Sequence, residues 1–449
     1  MISTIKSLFN KYSFWIIIFF TTLIYSSNLY YDYTKDAKEI GHNNLLTSSD
    51  NAPSTFLPYV LYKTGSFDFS STTFYLRRFD GGEREQYFIH NTGTQKVSVY
   101  PVFPGIAAFP IYLPLLFFNK IASFDFHENI LKILLLGRVT GIIYATITVG
   151  IFFLILKNIS KNLKISALFT ALFAYGTTMW SIASRGTWSH TITALLLSLM
   201  IYLIITKKIS NKIILLIGFL GGITTLNRPT GFVITGIIGL YILYKIYLES
   251  KKIKHLFIPA LLYFLGNLPS IIFTLTYNTI IFGGPLNEGY AARNDLKWTT
   301  PLFEGMLGNF LMPGKGLLAI TPVFVLALIF IYKLFKDKNF IKERNIFYRF
   351  LSLIFFIFLI FYSKWYAWWG GNTHGYRFFT DLTPILVIFS YEMYLKISNH
   401  KTKIFVLFLI AYSIFIQASA VFYQKSRCED KDMTKLGCID YINFDKFLK

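Results

Sequence analysis

Asp50 stands in "TSSDNAPSTFLP", Lys315 in "MPGKGLLAITPVF", and His374 and Arg377 close the run "WYAWWGGNTHGYR" at 365–377. A carboxylate that is partly desolvated and set among cations can act as a general base. Asp50 has a second reading, because an aspartate just before a helix commonly caps it. Lys315 is flanked by glycines that leave backbone amides uncovered, at a helix N-terminus where a phosphate would bind. The competing reading is a lysine snorkelling to the headgroups. If the chain is helical at 374–377, His374 and Arg377 lie on one face, with Tyr376 beside them, and together could grip a phosphate.

More cations fall in short turns. "SRGTWSH" carries Arg185 and His190, and "NRPTG" carries Arg228. One arginine in such a turn anchors lipid; several converging on one end suggest a pocket for an anionic ligand. Arg138 is placed inside an apolar run, where a charge should face a cavity or a partner. Glu83, Glu85 and His90 fit no standard metal spacing, so no metal site is assigned. The chain has no P-loop, no G-x-G-x-x-G after a strand and no HExxH.

The elements that must position these residues are membrane helices. The 449 residues are 54% hydrophobic, 19% aromatic and only 15% charged, against about 25% charged in an ordinary soluble domain. Apolar runs long enough to span, about 20 residues each, recur along the chain. The expected architecture is an all-α polytopic membrane protein with about 11 transmembrane helices, at 13–30, 130–156, 165–184, 189–206, 213–227, 230–248, 256–281, 317–335, 350–364, 382–396 and 403–423. The first is an uncleaved anchor, since no small-residue cleavage site follows it. With the N-terminus in the cytoplasm, the inside segments hold 21 lysines and arginines and the short outer turns 7, the asymmetry that orients membrane proteins. The net charge of +21 is thereby explained without nucleic acid.

"PGIAAFPIYLPLLFF" at 104–118 is short and broken by prolines. It is expected to lie along the outer interface, because a crossing there would turn every lysine-rich loop outward. A large first extracytoplasmic loop, 31–129, follows, with a short amphipathic helix ending at Gly65 and a small β-hairpin signalled by Asn91-Thr92-Gly93. A second outer loop covers 283–316. The transmembrane domain runs over 1–423, and 424–449 is an extracytoplasmic tail in which Cys428 and Cys438 either form a disulfide or remain two free thiols. Glu392 is the one carboxylate read within the spans, which argues against an ion-coupled carrier.

In order along the chain, Asp50 with "LPYVLYKTGSFDF", "YPVFPGIAAFPIYLPL", "GTTMWSIASRGTWSH", "NRPTG", "YNTIIFGGPLNEGY", "MPGKGLLAITPV" and "WWGGNTHGYRFFTDLTPIL" resemble the GT-C superfamily of membrane glycosyltransferases, which includes protein mannosyltransferases and the aminoarabinose transferase of lipid A. The resemblance covers nearly the whole chain. It implies a GT-C-like fold in a bacterial inner membrane and an inverting sugar transfer on the extracytoplasmic face. The donor would be a polyprenyl-phosphate-linked sugar and the acceptor a cell-surface glycan, lipid or protein. Asp50 would be the base, and Lys315, Arg377 and His374 would bind the donor phosphate. Arg138, Arg185, His190, Arg228 and Tyr376 are further pocket candidates. The family pattern places an acid after the loop aspartate; Asn51 stands here, which leaves a divalent metal cofactor open. A lipid-linked glycan flippase, or a glycan polymerase or ligase, would share much of this layout.

Overall fold

The computed structural model describes residues 2–38, 44–72, 87–118, 120, 127–291, 297–337, 340, 344–371 and 373–423. The tail with Cys428 and Cys438, and Glu83 and Glu85, lie outside them. The chain is an all-α membrane protein. Among the described residues, Tyr12–Lys38, Glu128–Ile159, Ser189–Thr206, Gly231–Ser250, Ile253–Phe282, Asn345–Lys364 and His400–Phe422 are long and apolar enough to cross a membrane. Leu163–Tyr175 and Thr178–Arg185, bent by 42°, make an eighth if they form one span.

Three further expected spans are shorter or broken. Asn211–Asn227 is a helix of 17 residues. The run at 317–335 divides into Leu317–Ile320, a 3-10 turn Pro322–Phe324 and Val325–Lys336. Pro322 supplies no N–H and disfavours helix in the residue before it, which breaks the run at Thr321. The run at 382–396 is the 14-residue helix Thr383–Lys396. Short as it is, Asn211–Asn227 packs closely against Phe257–Phe282. A Cβ on Gly218 would sit 2.4 Å from the Tyr263 carbonyl oxygen, and one on Gly266 would sit 2.3 Å from that of Leu215. Small residues let the two backbones meet.

The first helix corrects one expectation. It continues through Leu29–Lys38 and carries two buried carboxylates, Asp32 and Asp36.

The first loop follows its expected order. A 3-10 turn at Ser49–Asn51 leads into the helix Ala52–Thr64, closed by Gly65 at φ 65°, a left-handed stop that glycine adopts without strain. That helix is not amphipathic over most of its length, because every residue from Ala52 to Val60 is buried. It packs with Phe103–Phe117 and the start of His127–Ile159 in a small second core. The Tyr112 hydroxyl ties the three together, lying 2.9 Å from the Thr55 carbonyl oxygen and 3.2 Å from that of Ile133. The hairpin is present as Ile89–Asn91 paired antiparallel with Lys96–Ser98.

Candidate functional site

Asp50 does not cap the helix behind it. Ser48 accepts from the Asp50 amide, and the cap position of Ala52–Thr64 is Asn51, which makes no side-chain cap bond. The Asp50 carboxylate is free to face the loops. Its Oδ1 accepts from the hydroxyls of Tyr87, at 2.6 Å, and Tyr100, at 2.7 Å. Its Oδ2 pairs with Arg377 Nη1 at 2.6 Å.

The hairpin delivers both tyrosines. Its register pairs Ile89 with Ser98, and the Val99 amide donates to the Phe88 carbonyl one step further on. Tyr87 and Tyr100 fall opposite each other at the next step and share a face. Phe88 and Val99 alternate to the other face and are buried. Burial by itself would push the Asp50 carboxyl up; the Arg377 charge and the two phenols outweigh it and hold it below the usual carboxylate range. Burial and the Asp50 charge push Tyr100 well up, so it remains a donor.

Arg377 links Asp50 to a buried polar group. Its guanidinium lies over the Trp188 ring, 4.4 Å from the centroid, a stacking that suits a planar cation. Its Nε approaches His190 Nε2 at 3.4 Å. His190 Nδ1 is 2.8 Å from Asp381 Oδ1, and Arg228 Nη1 donates to Asp381 Oδ2 at 2.8 Å. Arg228 Nη1 also stands 2.5 Å from His190 Nδ1, so this ring, neutral between two arginines, bonds either Asp381 or Arg228 through Nδ1 according to its tautomer. Arg228 lies beside the stacked pair of Tyr362 and Phe378, its guanidinium 5.3 Å and 5.7 Å from their centroids. The close turn that brings Arg377 here requires Gly370: its φ is +78° and a Cβ would stand 2.9 Å from that of Arg377.

The helical reading of 374–377 is corrected. The 3-10 segment begins at Arg377, and His374 is buried away from Arg377's partners. Among the described residues, neither ring nitrogen of His374 has a hydrogen-bond partner. Burial, then the Lys315 charge, pushes His374 down to about 3, so at neutral pH it offers a ligand a hydrogen bond but no charge.

Lys315 does not snorkel. Its side chain is buried and its Nζ donates to the carbonyls of Gly371 and Thr373, pinning the glycine turn from beneath. Burial, then Arg377, pushes its ammonium down to about 7. Tyr376 belongs to the core, its hydroxyl 2.8 Å from that of Thr321. Trp368 is buried as well, packed over Gly308.

No protein family, characterised protein or solved structure gives a match to this chain.

The cations read as one pocket divide into two. Arg377 joins Asp50 to His190, and His190 and Arg228 meet at Asp381. Arg138 and Arg185 instead meet at Asp32 Oδ2, at 3.4 Å and 3.0 Å. Tyr87, Tyr100, Trp188, Asp381 and Asp32 are the participants that sequence reasoning missed. Only the i, i+4 spacing of Asp32 and Asp36 carried a signal. A divalent metal at Asp50 does not fit these surroundings. Its oxygens already face three donors, and the Asn51 amide is turned away toward the Leu46 carbonyl, at 3.2 Å. His90 stands beside Phe282, and among the described residues no three His, Cys, Asp or Glu side chains are grouped to share a metal.

Proposed function

We propose that the chain is a membrane glycosyltransferase of GT-C type that moves a sugar from a polyprenyl-phosphate donor to a cell-surface glycan, lipid or protein. The observation that carries this reading is the Asp50 carboxylate, kept ionised at the end of a helical bundle by two phenols and one arginine. An ionised carboxylate has about four acceptor positions on its two oxygens; three are filled here, and one remains for the proton of an acceptor hydroxyl.

In the proposed reaction the acceptor oxygen gives its proton to Asp50 and bonds to the anomeric carbon. The bond from that carbon to the phosphate oxygen breaks on the opposite side, inverting the centre. The lipid phosphate leaves with the electron pair. Arg377, bound to the base and adjacent to the reacting centre, meets that charge as it develops. Lys315 supports the turn behind it, and His374, whose ring nitrogens are unspent among the described residues, offers the donor phosphate a neutral hydrogen bond. The fold carries eleven spans on this reading, counting the short and broken helices. The asymmetry of 21 against 7 basic residues supports a cytoplasmic N-terminus and an extracytoplasmic site in a bacterial inner membrane.

The test is Asp50→Asn in purified, membrane-reconstituted protein. Transfer should disappear while assembly and donor binding persist. A carrier that only grips phosphate would not need Asp50, so lipid translocation without any transfer product in the wild type would overturn the proposal.

A further inference from the structure

Among the described residues, Arg138 and Arg185 share a single carboxylate, that of Asp32. Asp32 Oδ2 accepts from Asn28 Nδ2 at 3.0 Å, from Arg185 Nη2 at 3.0 Å and from Arg138 Nη2 at 3.4 Å. Two guanidiniums thus share one carboxylate oxygen. Arg138 is 1% exposed. Its Nε and Nη1, and Arg185 Nη1, are buried and lack hydrogen-bond partners among the described residues. Asp36, one helical turn on, is committed elsewhere: it accepts from the Asn44 amide and side chain and from the Leu45 amide. A buried cation without a matching anion is strongly disfavoured, and unspent N–H groups at low dielectric add to the cost.

We propose that Asp32, Arg138 and Arg185 form a binding site for a phosphate group, separate from the Asp50 cluster. In each guanidinium Nη2 is spent on Asp32 while its neighbour Nη1 is unspent. The two arginines come from different elements, Arg138 from His127–Ile159 and Arg185 from the 3-10 turn Ala183–Arg185. Tetrahedral phosphate oxygens suit such a set. Asp32 takes up one Nη2 of each arginine and so competes with the ligand for their charge. Arg185 keeps 12% of its side chain exposed, against 1% for Arg138, although its free Nη1 is itself buried, so a ligand reaches that donor only by displacing what covers it. The helix carrying Asp32 turns Tyr30 and Tyr31 outward, 80% and 47% exposed, and belongs to an apolar span. The phosphate therefore arrives either on a lipid, along that flank, or free from water. The site stands whether or not the chain transfers sugar.

The experiment uses the full chain in nanodiscs. One set contains phosphatidylcholine alone with added inorganic phosphate. The other contains phosphatidylcholine with phosphatidic acid, a monophosphate lipid. Native mass spectrometry and the unfolding midpoint report binding. Arg185→Gln and Arg138→Met should each weaken binding at least tenfold, and Asp32→Asn, which removes the competing carboxylate, should strengthen it. The exposed Lys208→Gln removes the same unit of charge and should change nothing. Circular dichroism confirms folding. Should Arg138→Met fail to fold, Arg185→Gln and Asp32→Asn still decide the matter. Binding of inorganic phosphate marks a site open to water, and binding of phosphatidic acid alone marks entry from the bilayer; both support the proposal. Binding of neither, equal binding by wild type and Arg185→Gln, or weaker binding by Asp32→Asn overturns it.

Discussion

The Asp50 cluster and the Asp32 cluster are built from the same residue types and meet opposite ends. In the first, Asp50 and Asp381 face Arg377 and Arg228 across a neutral His190, and each of the four carboxylate oxygens has a polar partner. In the second, one carboxylate serves two arginines and donors are left over. A balanced group holds its own geometry, as a site that must present a base in a fixed position requires. A group with surplus cations calls for an anion from outside. Arginine in a turn is therefore not evidence of a ligand; the count of carboxylates folded back onto it is.

The sharpest way to break this contrast is Asp50→Asn. Loss of a general base typically costs about 10²–10⁴ in rate, so transfer should fall by at least about a hundredfold. Asp32→Asn should leave transfer nearly intact. Comparable losses from both would mean that the clusters act as one site.

Stability gives the second test. Asp381 is fully buried, and Asp381→Asn strands Arg228, a kind of change that costs about 3–5 kcal/mol. Arg185→Gln removes a surplus cation and should cost less than about 1 kcal/mol when no anion is bound. Unfolding in mild detergent by heat or denaturant measures both. Equal losses would show that the second cluster is as self-sufficient as the first.

Local signals account for what the sequence disclosed. Gly65 marks a helix end because left-handed backbone favours glycine, and Asn91-Thr92-Gly93 marks a turn for a related reason. Asp50, Arg377, His190 and Arg228 stood out as polar residues beside apolar runs. Their partners did not. Tyr87 and Tyr100 lie 37 and 50 residues from Asp50 and look like any loop tyrosines until a strand register sets them side by side. Asp381 lies 191 residues from His190 and carried no signal of its own. Pairing across such separations is set by tertiary packing, which periodicity does not encode. Lys315 misled in the other direction: its glycine neighbours suggested an open anion site, yet the turn closes over its ammonium.

That closure gives a smaller, pH-dependent effect. Lys315 has a folded value near 7 against an ordinary 10.5. Between those values the unfolded chain holds a proton that the native chain has released, so this residue's contribution to stability rises with pH across that window. Below about pH 7 both states are protonated and the burial cost is felt in full. Wild type should therefore gain stability from pH 7 to 9 relative to Lys315→Met, measured as the difference in unfolding midpoint. A difference that is flat with pH would mean that the two carbonyls keep the ammonium charged throughout.

The smallest expected effect is also the finest probe of the Asp50 cluster. Tyr100→Phe removes one donor from the charged carboxylate and leaves Arg377 and Tyr87 in place. Losing a hydrogen bond to the ionised form raises the Asp50 value, so the acid limb of the pH profile for transfer should move to higher pH. Near neutrality Asp50 remains ionised and the rate should fall by roughly tenfold, the lower end of what a hydrogen bond to a charged group contributes. Tyr87→Phe should move the limb in the same direction, while Arg185→Gln, in the other cluster, should not move it. If the limb stays fixed in both tyrosine variants, the phenols only pack around Asp50. If Arg185→Gln moves it too, the separation of the two clusters fails electrostatically even though their hydrogen bonds are distinct.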